Sequence, residues 1–276
     1  GAADGAWLDT VLVHDTPDAR TAGARIWSLG TFARPTTLGS LESYTTSQSF
    51  ELSPAVQGLY VTVVADNGPL PTQRETDETN NTLTVAAEVV ARPADLKVVS
   101  ISAPAQNFSG EKTSVTYTVR NDGSAVWAGT RLWVDAIYIS PDPTFIAARA
   151  VRIGTVAHAA GNGLGAGQSY SETAEVKLPA GIGGDYFVYV QVDASRDGLQ
   201  PEPTSGRNDF SFAHYGGSVY EAANQVNNLT RGDLPVTYRE PDLKVSAITV
   251  PPGELFSGQT ISVQFTVANE GTRGTR

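Results

Sequence analysis

The chain repeats itself at long range, and this constrains its architecture more than any other feature. Asp95-Leu96-Lys97-Val98 recurs as Asp242-Leu243-Lys244-Val245, an offset of 147 (242 − 95). Phe108-Ser109-Gly110 recurs as Phe256-Ser257-Gly258. Ser114-Val115-Thr116-Tyr117-Thr118-Val119, with Asn121 and Gly123, recurs as Ser262-Val263-Gln264-Phe265-Thr266-Val267, with Asn269 and Gly271, at an offset of 148 (256 − 108). The front of the chain matches a different part of the same unit: Trp7 and Asp9 match Trp133 and Asp135, Ser43-Tyr44 matches Ser169-Tyr170, and Tyr60 matches Tyr186, all at 126 (133 − 7). Asn80-Asn81 corresponds to Asn227-Asn228 at 147, so the central copy carries an extra segment of about 21 residues (147 − 126) near 194–220. An inserted loop or hairpin accounts for it.

These offsets divide the chain into residues 1–91, a partial repeat lacking its first two strands; 95–240, a complete repeat; and 242–276, the first two strands of a third. At 276 residues the chain is too long for one sandwich and suits two. Running from Gly271 to Arg276 and restarting at Gly1 recreates the stretch between Gly123 and Trp133 with two residues to spare, 12 against 10. With no Met and no charged leader, the sequence reads as an internal piece of something longer.

The repeated unit is made of strands. Val115, Tyr117 and Val119 alternate with Thr116 and Thr118, the period of a strand with one buried face, and Asn121-Asp122-Gly123 supplies a turn. Leu132 to Ile139 is apolar on both faces, which suits a central strand, and Pro141-Asp142-Pro143 ends it. Tyr186 to Val192, entered through Gly181-Ile182-Gly183-Gly184, matches Leu59 to Val64. No helical periodicity stands out. Short strands punctuated by Gly, Pro, Asn and Asp predict an all-β chain of tandem antiparallel β-sandwich repeats.

Composition excludes several function classes. Acidic side chains outnumber basic ones by 29 to 19, a formal charge of −10, which repels a phosphate backbone and argues against nucleic acid as a partner. Cysteine is absent, which removes disulfides, thiolate metal sites and Cys nucleophiles together. No apolar run reaches the ~20 residues of a membrane span.

In order along the chain, Asp95-Leu96-Lys97-Val98, Phe108-Ser109-Gly110, Tyr117 to Gly123, Trp133 to Ser140, and Tyr220-Glu221 with Asn227-Asn228 resemble the CARDB family, the cell-adhesion-related domain of bacteria. The resemblance implies immunoglobulin-like sandwiches used in tandem within large extracellular or cell-surface bacterial proteins. The insertion before Tyr220, and a Glu221-to-Asn227 spacing wider than Glu78-to-Asn80, depart from an even repeat.

Catalytic signatures are missing. His14, His158 and His214 are scattered without zinc-ligand spacing, no Gly-x-Ser-x-Gly elbow occurs, and the Gly161–Gly167 run lacks phosphate-loop spacing. The chain reads as no enzyme. Arg231-Gly232-Asp233 is weighed as a chance tripeptide, and Asn80, Asn107 and Asn228 head glycosylation-type triplets whose plainer role is turn chemistry. Lys97 and Lys244 occupy equivalent strand positions, where an isopeptide bond is weighed against a solvated edge lysine, the default. No cofactor is certain. Calcium is the candidate ion, because hard cations take carboxylate and carbonyl oxygens and acidic loops cluster near the repeat junctions. The clusters are Glu75, Asp77, Glu78 and Asn80 in one copy, and Glu221, Asn224, Asn227 and Asn228 in the other. The competing reading has Asn and Asp capping turns while Glu keeps the surface soluble.

The expected function is a structural or adhesive repeat segment whose partners are neighbouring repeats or identical subunits, head to tail. Residues 242–271 are read as strands able to complete a neighbouring copy's first repeat. The alternatives are a glycan- or surface-protein-binding module, using Phe210, Phe212, His214 and Tyr215 of the insertion, and an accessory domain of a secreted enzyme.

Overall fold

Alternating apolar positions fold into antiparallel sheets along the longer strands. The computed structural model describes residues 7–34, 37–67, 73, 75–130, 132–159, 163–194 and 219–275. The insertion expected near 194–220, with its four aromatic residues, lies almost wholly outside them.

The first sheet has the order β2-β1-β3-β4, built from β1 (Trp7–His14), β2 (Ile26–Arg34), β3 (Gly58–Val64) and β4 (Thr82–Val89). Next come β5 (Leu96–Ser102), the short β6 (Asn107–Phe108), β7 (Lys112–Asn121), β8 (Leu132–Ser140), β9 (Val151–Ala159), β10 (Ser169–Lys177), β11 (Phe187–Gln191), a 3-10 turn (Ala222–Asn227), β12 (Leu229–Asp233) and the short β13 (Val236–Thr237). They form a three-stranded sheet, β10-β7-β5, facing a four-stranded sheet, β12-β11-β8-β9. Parallel pairing of β13 with β6 closes one end. A hairpin of β14 (Leu243–Thr249) and β15 (Gln264–Asn269) follows. All the longer ladders are antiparallel, as the strand periodicity predicts.

The sandwich core lies between the two central sheets. Leu96, Val98, Val115, Tyr117 and Val119 from one meet Trp133, Ile137, Ile139, Val188 and Val190 from the other. Full burial of each such side chain stabilises by roughly 1.5–3 kcal/mol. β8 is buried on both faces, as its sequence predicts. Ala136, Tyr138 and Tyr189 form a second, outward cluster, with Phe145 edge-on to both tyrosines. Gly154 sits where a Cβ would come within 2.8 Å of Val176, so only glycine lets β9 pass so close to β10. Gly181 and Gly184 take positive φ at the entry to β11, the tight turn expected of that glycine run.

Strand pairing in the first sheet follows the four-stranded central sheet. Val13 pairs with Val61 as Ile139 pairs with Val188, and Val61 pairs with Val85 as Val188 pairs with Gly232. This register corrects one sequence match: β3 aligns with β11 at 127 (188 − 61), so Tyr60 answers to Phe187, and Leu59 to Tyr186. Asp66 and Asp193, equivalent at 127, share a φ of 49°. Each Asp Oδ2 then accepts a backbone N–H, Asp66 from Gln73 across 7 residues and Asp193 from Val219 across 26. The excursion between Asp193 and Val219 holds the extra residues.

Candidate functional site

The most completely built polar cluster surrounds Asp135. β8 points this carboxylate inward among apolar neighbours, where an unsatisfied charge is costly, and it is fully buried. Oδ2 accepts from Tyr117 Oη (2.9 Å), Tyr170 Oη (2.7 Å) and His158 Nε2 (2.8 Å), and Oδ1 from the Asp193 N–H (3.2 Å). Trp133 stacks on His158 with ring centroids 5.2 Å apart. Burial, then the Asp135 charge, pushes both phenols well above the usual tyrosine range. Four donors from β7, β10, β9 and the turn after β11 converge on one acid from β8. The arrangement pins both sheets together and presents no exposed nucleophile. Sequence reasoning matched Asp135 with Asp9 but gave neither a role; the signal was an acid in the middle of an apolar strand.

Asp9 has a related but smaller set. Its Oδ2 accepts from Arg34 Nε (2.7 Å) and Tyr44 Oη (2.5 Å), while Oδ1 is buried with no hydrogen-bond partner among the described residues. By strand pairing Arg34 stands for His158, and by the 126-residue sequence match Tyr44 stands for Tyr170. Nothing described stands for Tyr117.

The residues singled out for calcium separate into two loops. Glu221 is buried beneath the start of β5: Oε1 accepts the Leu96 N–H (2.5 Å) and Oε2 accepts Asn228 Nδ2 (2.6 Å). Desolvation outweighs these bonds and raises its pKa to about 7. Asn224 Nδ2 donates to Ala94 O (3.0 Å), and Asn227 Nδ2 to Asp95 Oδ1 (2.8 Å). The segment is a 3-10 turn rather than an open acidic loop, because Ala222 at φ 50° starts a tight reversal under β5. Among the described residues the amide oxygens Asn227 Oδ1 and Asn228 Oδ1 are buried without a donor. In the other loop Glu75 Oε2 accepts Asn81 Nδ2 (2.6 Å), its backbone N–H reaches Glu78 Oε1 (3.3 Å), and Asp77 Oδ1 caps Thr79. Asn80 is exposed beside them. Glu75 bonds Asn81 six residues on, much as Glu221 bonds Asn228 seven residues on, so the two loops differ by one residue between these partners. Among the described residues no three His, Cys, Asp or Glu side chains are grouped to hold a metal ion.

Other sequence candidates have structural partners. Lys97 pairs with Asp122 (2.5 Å), which also binds Arg120 and is held at a pKa of about 2 by Arg120, then Lys97. Lys244 pairs with Glu270. Arg231-Gly232-Asp233 lies within β12, where Arg231 covers Phe187 and Gly232 packs on Ile101, unlike an exposed loop tip.

Two surfaces show their apolar sides. In the β14–β15 hairpin, Leu243, Val245, Ile248, Phe265 and Val267 are exposed, Phe265 by 65% where its counterpart Tyr117 shows 0%. On the first sheet Leu59, Val63, Leu83 and Val85 are exposed.

Two junctions join these parts. The turn after β7 lies on the first sheet's unit: Trp127 Nε1 donates to Glu51 Oε1 (3.2 Å), beside a cleft of about 400 Å³ lined by Leu52, Pro54, Val90 and Arg92. The turn after β15 lies on the central sandwich: Arg273 donates to Gly110 O (3.2 Å), beside a cleft of about 500 Å³ lined by Leu178, Pro179 and Ala180. Arg239 adds an ion pair to Glu111 (2.8 Å) and covers the Phe108 ring.

Residues 93–197 match the CARDB family model. With the paired sheets of the central unit, this identifies an immunoglobulin-like β-sandwich. No curated protein matches the chain. Among solved structures, the CARDB domain of a Pyrococcus furiosus protein in complex with di-metal ions is 17% identical at a TM-score of 0.32, over 52% of this chain and 90% of that one. A beta-glucosidase from Listeria innocua in complex with glucose is 16% identical at 0.28, over 56% of this chain. Beta-glucosidase 3B from Thermotoga neapolitana is 17% identical at 0.25, over 38%. The chain spans 17% and 14% of those two enzymes. At these TM-scores the likenesses speak to neither activity nor ligand. No helix among the described residues is long and apolar enough to cross a membrane.

Proposed function

We propose that this chain is a non-catalytic structural and adhesive segment of an extracellular bacterial surface protein or filament, built from tandem immunoglobulin-like sandwiches stacked head to tail. The observation that supports it is the likeness of the two junctions. In each, the turn that follows a unit's second strand rests on the segment that follows the preceding unit's β10 or its counterpart, Glu51–Pro54 in one case and Lys177–Ala180 in the other. The prolines of Arg92-Pro93 and Glu240-Pro241 stiffen the short connections. Repeating one junction gives a linear array, and extension is then the function. Strand complementation between copies is part of this reading.

Small-angle X-ray scattering at low concentration tests the stacking. A compact 276-residue protein has a radius of gyration of roughly 19 Å. A clearly larger value with a rod-like distance distribution supports the array; a value near the compact one refutes it.

A second reading concerns calcium, supported by Asn227 Oδ1 and Asn228 Oδ1, which have no donor among the described residues. A hard cation would use them as ligands. Calcium that raises the melting temperature, with a chelator reversing it, supports this reading. An unchanged melting temperature across the titration rejects it.

A further inference from the structure

We infer that the central sandwich carries a transition-metal site, in which a divalent ion of the zinc class bridges His158 Nδ1 on β9 and Glu172 Oε1 on β10. Every residue of the site lies inside the complete 95–240 unit, apart from the calcium candidates around Glu221.

The tautomer of His158 is fixed by its buried neighbour. Asp135 Oδ2 accepts from Tyr117 Oη, Tyr170 Oη and His158 Nε2. Burial, then the Asp135 charge, pushes both phenols upward, so they stay protonated and donate. Nε2 therefore carries the imidazole proton, and Nδ1 of the neutral ring presents a lone pair. An imidazole whose far nitrogen donates to a carboxylate is oriented and strengthened as a metal ligand. The ring is also held against rotation, stacked on Trp133 with centroids 5.2 Å apart and set against Tyr170 at 4.5 Å.

Nδ1 faces a second acceptor. Glu172 Oε1 lies 4.0 Å away, beyond hydrogen-bond range, and two acceptors that face each other are stabilised by a cation between them. Glu172 alternates with Ser171 and Thr173, so it shares the inward face of β10 with Tyr170 and Ala174, where a merely solvating glutamate does not belong. With metal–ligand bonds of about 2.0–2.1 Å, a tetrahedral ion needs its two ligand atoms about 3.3 Å apart. The Glu172 side chain is 39% exposed and closes that difference by rotation, while His158 at 11% stays in place.

The first unit supplies the charge argument. Arg34 stands for His158 and donates to Asp9, the counterpart of Asp135. Thr46 stands for Glu172 at the same offset of 126 (172 − 46). That copy sets one permanent cation against one acid. The central copy sets an imidazole against two acids, and among the described residues His158 is the only ion-pair partner of either. A divalent ion restores the balance. Imidazole with carboxylate suits zinc and its neighbours, whereas calcium and magnesium take oxygen ligands. Asp135, engaged by four donors, only orients, so water fills the remaining positions on the ion. The ion joins edge strands of opposite sheets in a chain without cysteine, and so staples one open side of the sandwich.

Isothermal titration of the whole chain with zinc chloride at neutral pH, after a chelator has stripped bound metal, tests the site. One ion should bind per chain, and the melting temperature should rise with zinc. His158→Arg, which installs the cation the first unit already uses, should abolish binding. Glu172→Gln should weaken it by roughly tenfold or more. His214→Ala should change nothing, and His14 does not compete because both its ring nitrogens are hydrogen-bonded. A chain that binds no zinc, binding unchanged by His158→Arg or by Glu172→Gln, binding lost with His214→Ala, or zinc displaced by equimolar calcium would overturn the inference. Circular dichroism checks that His158→Arg folds; if it does not, the result for Glu172→Gln, at a partly exposed position, decides alone.

Discussion

At the scale of single residues, two buried acids do different work. Asp135 is a buried acid whose four donors come from β7, β9, β10 and the turn after β11, so its removal strands three side chains at once. We expect Asp135→Asn to destabilise the central sandwich by about 2–4 kcal/mol in urea denaturation, the scale for a broken buried network. Glu221 has a folded pKa raised to about 7 from an ordinary 4.5, so folding favours its protonated form. Its contribution is fully present below about pH 4.5 and is lost as pH rises through 7. Stability should fall across that window by on the order of 3 kcal/mol from this group. Glu221→Gln should flatten the profile; an unchanged profile would show that the two accepted hydrogen bonds keep Glu221 ionised.

At the scale of elements, the same sequence pattern occurs in two environments and separates propensity from packing. Val119 and Val267 are equivalent strand residues, one fully buried and the other 48% exposed. Val119→Asp should unfold or cost more than about 3 kcal/mol by burying an unpaired charge, whereas Val267→Asp should change monomer stability by less than about 0.5 kcal/mol. Thermal denaturation of the dilute proteins checks both. The turn after β7 is a second such element. A Cβ at Gly123 would lie 2.6 Å from the Ala94 backbone carbon and 2.7 Å from the Asp95 nitrogen. Gly123→Ala should therefore destabilise by about 1–3 kcal/mol through a forced backbone shift, read as a lower urea midpoint with an unchanged slope.

At the scale of the whole molecule, charge opposes association. Like-charged copies at −10 each repel, and any strand complementation between them would gain from apolar burial. Raising ionic strength from near zero to about 0.15 M should therefore strengthen head-to-tail assembly, because it shortens the screening length to about 8 Å. Sedimentation across a salt series checks the direction. Weaker assembly in salt would point to a contact carried by ion pairs such as those of Arg239 and Arg273.

The sequence by itself determined the strands at Val115–Val119, Leu132–Ile139 and Tyr186–Val192 and the long-range correspondences, because a two-residue period and the matching motifs are local and survive without neighbours. It placed Val115, Tyr117 and Val119 on one face and made β8 a central strand. Tertiary structure decided what depends on register and on distant partners. The one-residue shift of β3 emerged only from its pairing with β1, since Leu59 to Val64 alternates plausibly either way. Glu221 looked like a surface ligand until its oxygens met the Leu96 amide, 125 residues away, and the Asn228 side chain. Asp135 and Asp9 were visible as matching letters; the three phenol and imidazole donors around one, and the buried donorless oxygen of the other, required strands far apart in sequence to come together.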